Sequence, residues 1–189
     1  MVVATQIKQK LTLEAFLKLP ETKPYCEFFN GEIEQKVMPQ GQHSIIQFRL
    51  GKAIDDVISS KKIGLVFPVL RCNFSGRSIV PDLAVFEWHR LPKTNTGKIA
   101  NKFEIYPDWI IEIFSPKQST NKVIKKILFC LKQGTKLGWL IDPEDESVMI
   151  FNPDQLPEIK SDQEILPVLE CIKDWQLSVI EIFSWLKIE

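Results

Sequence analysis

Apolar residues recur along this chain with two periods, and the periods change at turn residues. From Gln42 to Ser59, the side chains Ile45, Ile46, Phe48, Leu50, Ala53, Ile54, Val57 and Ile58 return at helical spacing, which predicts a well-buried amphipathic helix with His43 in its first turn. A shorter helix is expected at Leu11 to Leu17, capped by Thr12 and closed off by Pro20. Cys26 to Phe29 and Ile33 to Val37 flank Asn30-Gly31, a dipeptide suited to the positive φ angles of a tight hairpin. Runs rich in β-branched and aromatic residues predict strands at Leu65 to Cys72, Ser78 to Trp88, Trp109 to Phe114, Gly138 to Pro143 and Ser147 to Phe151. Lys93 to Lys102 reads as a surface loop. A lysine-rich helix follows from about Ser119 to Gln133, ended by Gly134, and Trp175 to Lys187 suggests a closing helix. The order predicts an α+β fold: a mixed sheet flanked by helices, opened by an N-terminal hairpin.

Two of the apolar strands each carry one acid that a buried strand would not choose, Asp82 and Glu112. An ionised carboxylate in an apolar strand is costly unless it is paired, hydrogen-bonded or bound to a metal, so the two acids suggest a shared site. Side chains alternate along a strand, which puts Asp82 on one face with Ala84 and Phe86, and Glu112 on one face with Ile110 and Phe114. If the strands are neighbours, the carboxylates meet. Such oxygen ligands suit Mg²⁺ or Mn²⁺, and the main-chain carbonyl of Ile113 is a further ligand candidate.

On the lysine-rich helix, Val123, Ile124, Ile127, Leu128 and Leu131 form an apolar stripe, with Lys122, Lys126 and Cys130 along one flank. A flanking Lys126 can reach the sheet edge while its stem stays packed; Lys125, on the opposite flank, is the rival. Between Ser115 and Ile141 there are six lysines and no acid, a local excess able to neutralise phosphates. The same residues also fit ordinary strand-end acids paired with surface lysines and a solvated helix face.

Composition narrows the classes. The 189 residues are enough for one compact domain, expected to span 1–189, and 24 basic against 24 acidic residues exclude a strongly basic nucleic-acid binder while leaving local patches open. Four scattered cysteines without a CxxC pair and only two histidines, His43 and His89, argue against a zinc ribbon or histidine-rich metal centre. Met1 to Lys10 lacks the apolar segment of a targeting signal, and no run approaches the roughly 20 residues of a membrane span, so a cytoplasmic protein without membrane contact is expected. Trp139, Trp175 and Trp185 with the apolar C-terminal segment either pack in the core or build a homodimer interface.

Five segments in order, Glu27-Phe28-Phe29-Asn30-Gly31-Glu32, Met38-Pro39-Gln40-Gly41-Gln42-His43, Gly76-Arg77-Ser78-Ile79-Val80-Pro81-Asp82, Glu112-Ile113-Phe114-Ser115-Pro116 and Trp139-Leu140-Ile141-Asp142-Pro143, make the chain resemble the Uma2 family, a bacterial group abundant in cyanobacteria. The resemblance implies a restriction-endonuclease-like PD-(D/E)xK fold and a metal-dependent DNA endonuclease. Pro81-Asp82 matches the PD of that motif and Glu112 its second acid. The motif's usual lysine position holds Phe114, and Lys126 falls where a helix lysine replaces it in Uma2-like proteins. The resemblance thus implies Asp82 and Glu112 as ligands of Mg²⁺ (or Mn²⁺), with Ile113 beside them, and Lys126 as the group that orients water and offsets charge on the phosphate. Arg77, Lys122, Lys125 and His43 are candidates for DNA contact. An alternative is a catalytically impaired nuclease-fold module that binds DNA or protein, prompted by Phe114 and by Lys122 and Cys130, where the family helix commonly carries an acid and a tyrosine.

Overall fold

The computed structural model describes residues 11–188, and the stretch read for a targeting signal lies outside them. The chain runs α1 (Leu13–Phe16), β1 (Cys26–Phe29), β2 (Glu32–Gln35), α2 (Gly41–Ile58), β3 (Gly64–Pro68), β4 (Cys72–Phe74), β5 (Arg77–Ile79), β6 (Leu83–Glu87), β7 (Trp109–Ile113), α3 (Thr120–Gln133), β8 (Leu137–Asp142), β9 (Ser147–Phe151), β10 (Glu158–Ser161) and α4 (Val179–Ser184). A six-stranded sheet in the order β10-β9-β8-β7-β6-β3 forms the centre, and a four-stranded sheet β2-β1-β5-β4 stands beside it. The central sheet is mixed: β7 and β8 are parallel, joined through α3, and the other pairs are antiparallel.

Alternation sorts the central sheet into two cores. Leu83, Val85, Trp109 and Ile111 point to the side covered by Ile46, Leu50, Ile54 and Ile58 of α2 and by Val179, Ile182 and Phe183 of α4. Ala84, Phe86, Ile110 and Leu140 point to the side covered by Val123, Ile127 and Cys130 of α3. Asn30 and Gly31 take φ of 50° and 91° and close the β1–β2 hairpin as expected. Gly134 ends α3 in the left-handed region at φ 115°, where a side chain is disfavoured. Thr12 caps α1 by accepting from the Ala15 amide.

The structure departs from the pattern reading in four places. The run from Leu65 to Cys72 breaks into β3 and β4, because Val69 turns left-handed at φ 51° and sends the chain from one sheet to the other. The run from Ser78 to Trp88 likewise divides at Pro81, which has no amide to offer a ladder, so Asp82 stands in a bend just before β6 rather than inside a strand. β10, an edge strand paired with β9, follows what was read as the last strand; its charged sequence carries no apolar alternation. The closing helix is shortened to α4, because Ser178 and Glu181 form a capping box that fixes its start.

Trp139 is fully buried, and Trp175 and Trp185 are partly buried against the α2-side core, the packing role that was one of the two expected for them. No helix among the described residues is long and apolar enough to cross a membrane.

α3 lies close on β8 because Gly138 has no side chain: a Cβ there would overlap the Cγ2 of fully buried Ile127. Gly138→Ala should therefore lift α3 off the sheet and destabilise the protein by roughly 1–3 kcal/mol, measured as a lower urea midpoint at unchanged m-value.

Candidate active site

The register of β6 and β7 brings the two acids together. Leu83 pairs with Ile111 and Ala84 with Ile110, so Asp82, one residue before β6, stands beside Glu112 on the next rung. Both acids lie on the face that α3 covers, and both are buried, Asp82 at 5% exposure and Glu112 at 1%. The Asp82 bend is fixed from several sides. Its Oδ2 accepts from the Ile113 amide at 2.8 Å. Its carbonyl accepts from Gln47 Nε2 of α2 at 2.7 Å and from the Val69 amide at 3.1 Å. The left-handed turn at Val69 thus supports the site as well as the change of sheet.

Lys126, not Lys125, enters this site. It is 3% exposed, and its Nζ lies 2.8 Å from Glu27 Oε1 and 3.0 Å from Glu112 Oε1. Lys125 is exposed on the outer flank of α3. The buried face of α3 is accordingly Val123, Lys126, Ile127 and Cys130, rotated from the expected stripe so that Leu128 is exposed. An ammonium paired with two carboxylates is what allows a lysine to take a core position.

Three further side chains complete the cluster. Glu27, from the middle of β1, is buried and also accepts from the Val80 amide at 2.7 Å. Lys36, just past β2, places its Nζ 2.6 Å from Asp82 Oδ1, 2.8 Å from the Val80 carbonyl and 3.6 Å from Glu112 Oε2. His43 is buried in the first turn of α2, with Nε2 3.5 Å from Asp82 Oδ1 and Nδ1 2.9 Å from Ser115 Oγ. The sequence reading assigned no role to Glu27 or Lys36. Glu27 carries the same signal as Asp82 and Glu112, an acid within an apolar strand (Cys26-Glu27-Phe28-Phe29). Lys36 carries no such signal, since lysine at the end of an exposed strand is ordinary.

Burial pushes protons onto the acids and the lysines resist it. For Asp82 burial raises the pKa, but Lys36, His43 and the Ile113 amide together outweigh it and hold the carboxyl well below the usual range. For Glu112 burial wins over Lys126 and Lys36, and its pKa stays raised. Burial works against the charged form of Lys126, yet Glu112, Glu27 and Asp82 keep it protonated with a raised pKa. Lys36 is raised in the same way, burial being outweighed by Asp82 and Glu112.

The donor set fits a hard divalent cation. Both oxygens of Glu112 are buried without a hydrogen bond of good geometry, although a lysine faces each. A buried carboxylate left in that state has capacity for a cation. Among the described residues no three His, Cys, Asp or Glu side chains converge into a complete cage. Mg²⁺ needs no such cage, since it binds through one or two carboxylates and keeps several waters. Ile113 is present through its amide, which orients Asp82.

Outside the cluster, a cleft lined by Glu27, Lys36, Gln118, Ser119, Lys122 and Lys126 opens toward a broader groove of about 610 Å³ along α3. That groove carries Arg77, Lys122, Lys125 and Lys132 against Glu32 and Glu34, a local positive excess. The Arg77 guanidinium lies 3.9 Å from the Phe129 ring centroid and 5.4 Å from that of Phe29, flat aromatic contacts that hold it at the groove wall. Lys122 pairs with Glu34 at 3.0 Å. Arg77, Lys122 and Lys125 thus line one groove, whereas His43 belongs to the cluster itself.

The fold has a counterpart among solved structures. A crystal structure described as a putative nuclease belonging to DUF820, from Anabaena variabilis, matches with a TM-score of 0.92 and 47% identity, covering 94% of this chain and 99% of that one. No curated protein matches the sequence. The family model Uma2, described as "Putative restriction endonuclease", matches residues 13–180, from the first turn of α1 into α4. With both strands of the acid pair, the hairpin and α3 all inside that match, the chain belongs to the Uma2 family.

Proposed function

We propose that the protein is a metal-dependent deoxyribonuclease, a single domain that hydrolyses phosphodiester bonds of DNA at the Asp82, Glu112 and Lys126 site with Mg²⁺ or Mn²⁺. The observation that carries this reading is the placement of Asp82 and Glu112 opposite each other where β6 and β7 meet, with the Lys126 ammonium 3.0 Å from Glu112. The family description and the similarly described Anabaena structure support the nuclease class.

Asp82 and Glu112, with the Ile113 carbonyl, would hold the ion, which when bound supplies Lewis acidity toward phosphate and water. The chain's own residues do the rest. Lys126 takes the place of the motif lysine that Phe114 displaces. Because Glu27 fixes it from behind, its positive charge is set before substrate arrives and offsets the negative charge that builds on the phosphate oxygens. His43 steadies Asp82 Oδ1 from α2, with Ser115 fixing its far ring nitrogen. Arg77, Lys122 and Lys125 are set to receive the flanking phosphates along the groove.

Plasmid and single-stranded DNA should be cleaved by the wild type with Mg²⁺ or Mn²⁺, and Asp82→Asn and Glu112→Gln should each lower the rate at least about 100-fold at a temperature where circular dichroism shows all three proteins folded. Equal cleavage by all three proteins would assign the activity to a contaminant. Salt-sensitive DNA binding without cleavage by any of them would instead identify a binding module.

The groove generates a separate expectation. Lys125→Ala and Arg77→Ala should each weaken DNA binding and reduce the slope of log K against log salt by about one, measured by fluorescence anisotropy across a salt series. A slope unchanged in both variants would move the DNA track elsewhere.

A further inference from the structure

The structure assigns Lys36 a role outside the nuclease motif: its ammonium is a tethered cation that occupies the metal position between Asp82 and Glu112 and must leave it when a divalent ion binds. The inference rests on the metal-dependent reading above.

The argument is one of which oxygen atoms are free. Asp82 Oδ2 is taken by the Ile113 amide, and Glu112 Oε1 faces Lys126. Asp82 Oδ1, which His43 Nε2 also approaches at 3.5 Å from the α2 side, and Glu112 Oε2 are the pair a bridging cation would use, and these are the two oxygens that Lys36 Nζ faces, at 2.6 and 3.6 Å. An ammonium and a divalent ion cannot share both oxygens, because they would repel each other at contact distance with little water between them.

The two lysines are held differently. Lys126 is locked on α3 between two buried acids. Lys36 sits past the end of an edge strand, is 11% exposed, and lines both the cleft beside Lys122 and a second one beside Tyr25, Met38 and His43. Its side chain therefore has open space on two sides into which to swing. Charge favours its staying near. Three acids and two lysines leave the cluster one negative charge, a divalent ion makes it one positive, and a single phosphodiester then brings it to zero. The displaced ammonium thus becomes a cation available to the anionic substrate.

Mn²⁺ binding measured by calorimetry and by the EPR signal of the free ion tests this without reference to cleavage. Lys36→Met, and Lys36→Gln, which keeps a donor for the Val80 carbonyl, should bind Mn²⁺ at least tenfold more tightly than the wild type, while Asp82→Asn binds at least tenfold more weakly. In wild-type crystals soaked with Mn²⁺, the ion should lie between Asp82 Oδ1 and Glu112 Oε2, with Lys36 Nζ moved away. Equal or weaker binding by both Lys36 variants, or a metal bound with Lys36 in place, overturns the role of Lys36 and leaves the metal reading standing. Absence of Mn²⁺ binding by the wild type and both variants overturns the metal reading and this inference together.

Discussion

The structure depends on a desolvated charge cluster that can exist only if all its members arrive together. Glu27, Asp82 and Glu112 would each be costly to bury alone, and Lys126 equally so. Removing Lys126 would leave two carboxylates facing each other in the core, a change of the kind that costs about 3–5 kcal/mol. The cluster is therefore not an ornament on a finished fold. Its acids and lysines come one each from β1, the bend before β6, the next-to-last position of β7, α3 and the residue after β2, and it fixes how the small sheet, the large sheet and α3 meet.

The fold does its share through register and topology. Antiparallel pairing of β6 with β7 sets the two acids side by side. The parallel pair β7 and β8 requires a crossover, and the crossover is α3, which places Lys126 over the same face. The close seat of α3 on Gly138 limits how far that lysine can stand from Glu112. On the opposite face α2 supplies Gln47 and His43, so the acid pair is supported from both layers.

Much of this was legible in the sequence because it follows from local rules. Helical spacing located α2, Asn30-Gly31 located the hairpin, Gly134 located the end of α3, and the misfit of an acid in an apolar run located Asp82 and Glu112. The choice between Lys126 and Lys125 was not local. Each flanks the apolar stripe, and what draws Lys126 inward is Glu27, nearly a hundred positions earlier in the chain. The breaks at Val69 and Pro81 escaped for a related reason: an apolar run records that residues are buried, not which of two sheets buries them. Lys36 escaped altogether, since its environment is made entirely by strands and bends distant in sequence.

The peptide groups around Val80 carry one more consequence. The Val80 amide donates to Glu27 of β1, and the Val80 carbonyl accepts from Lys36 at the far end of β2. The hairpin thus acts as a ruler: its two-residue turn fixes the separation at which one acid and one base grip the same stretch of backbone. A single inserted or deleted residue in β1 or β2 would move one grip to the wrong face of the strand and leave the other in place. Sequence drift in this protein should therefore be free in the composition of the hairpin's outer face and closed in its length.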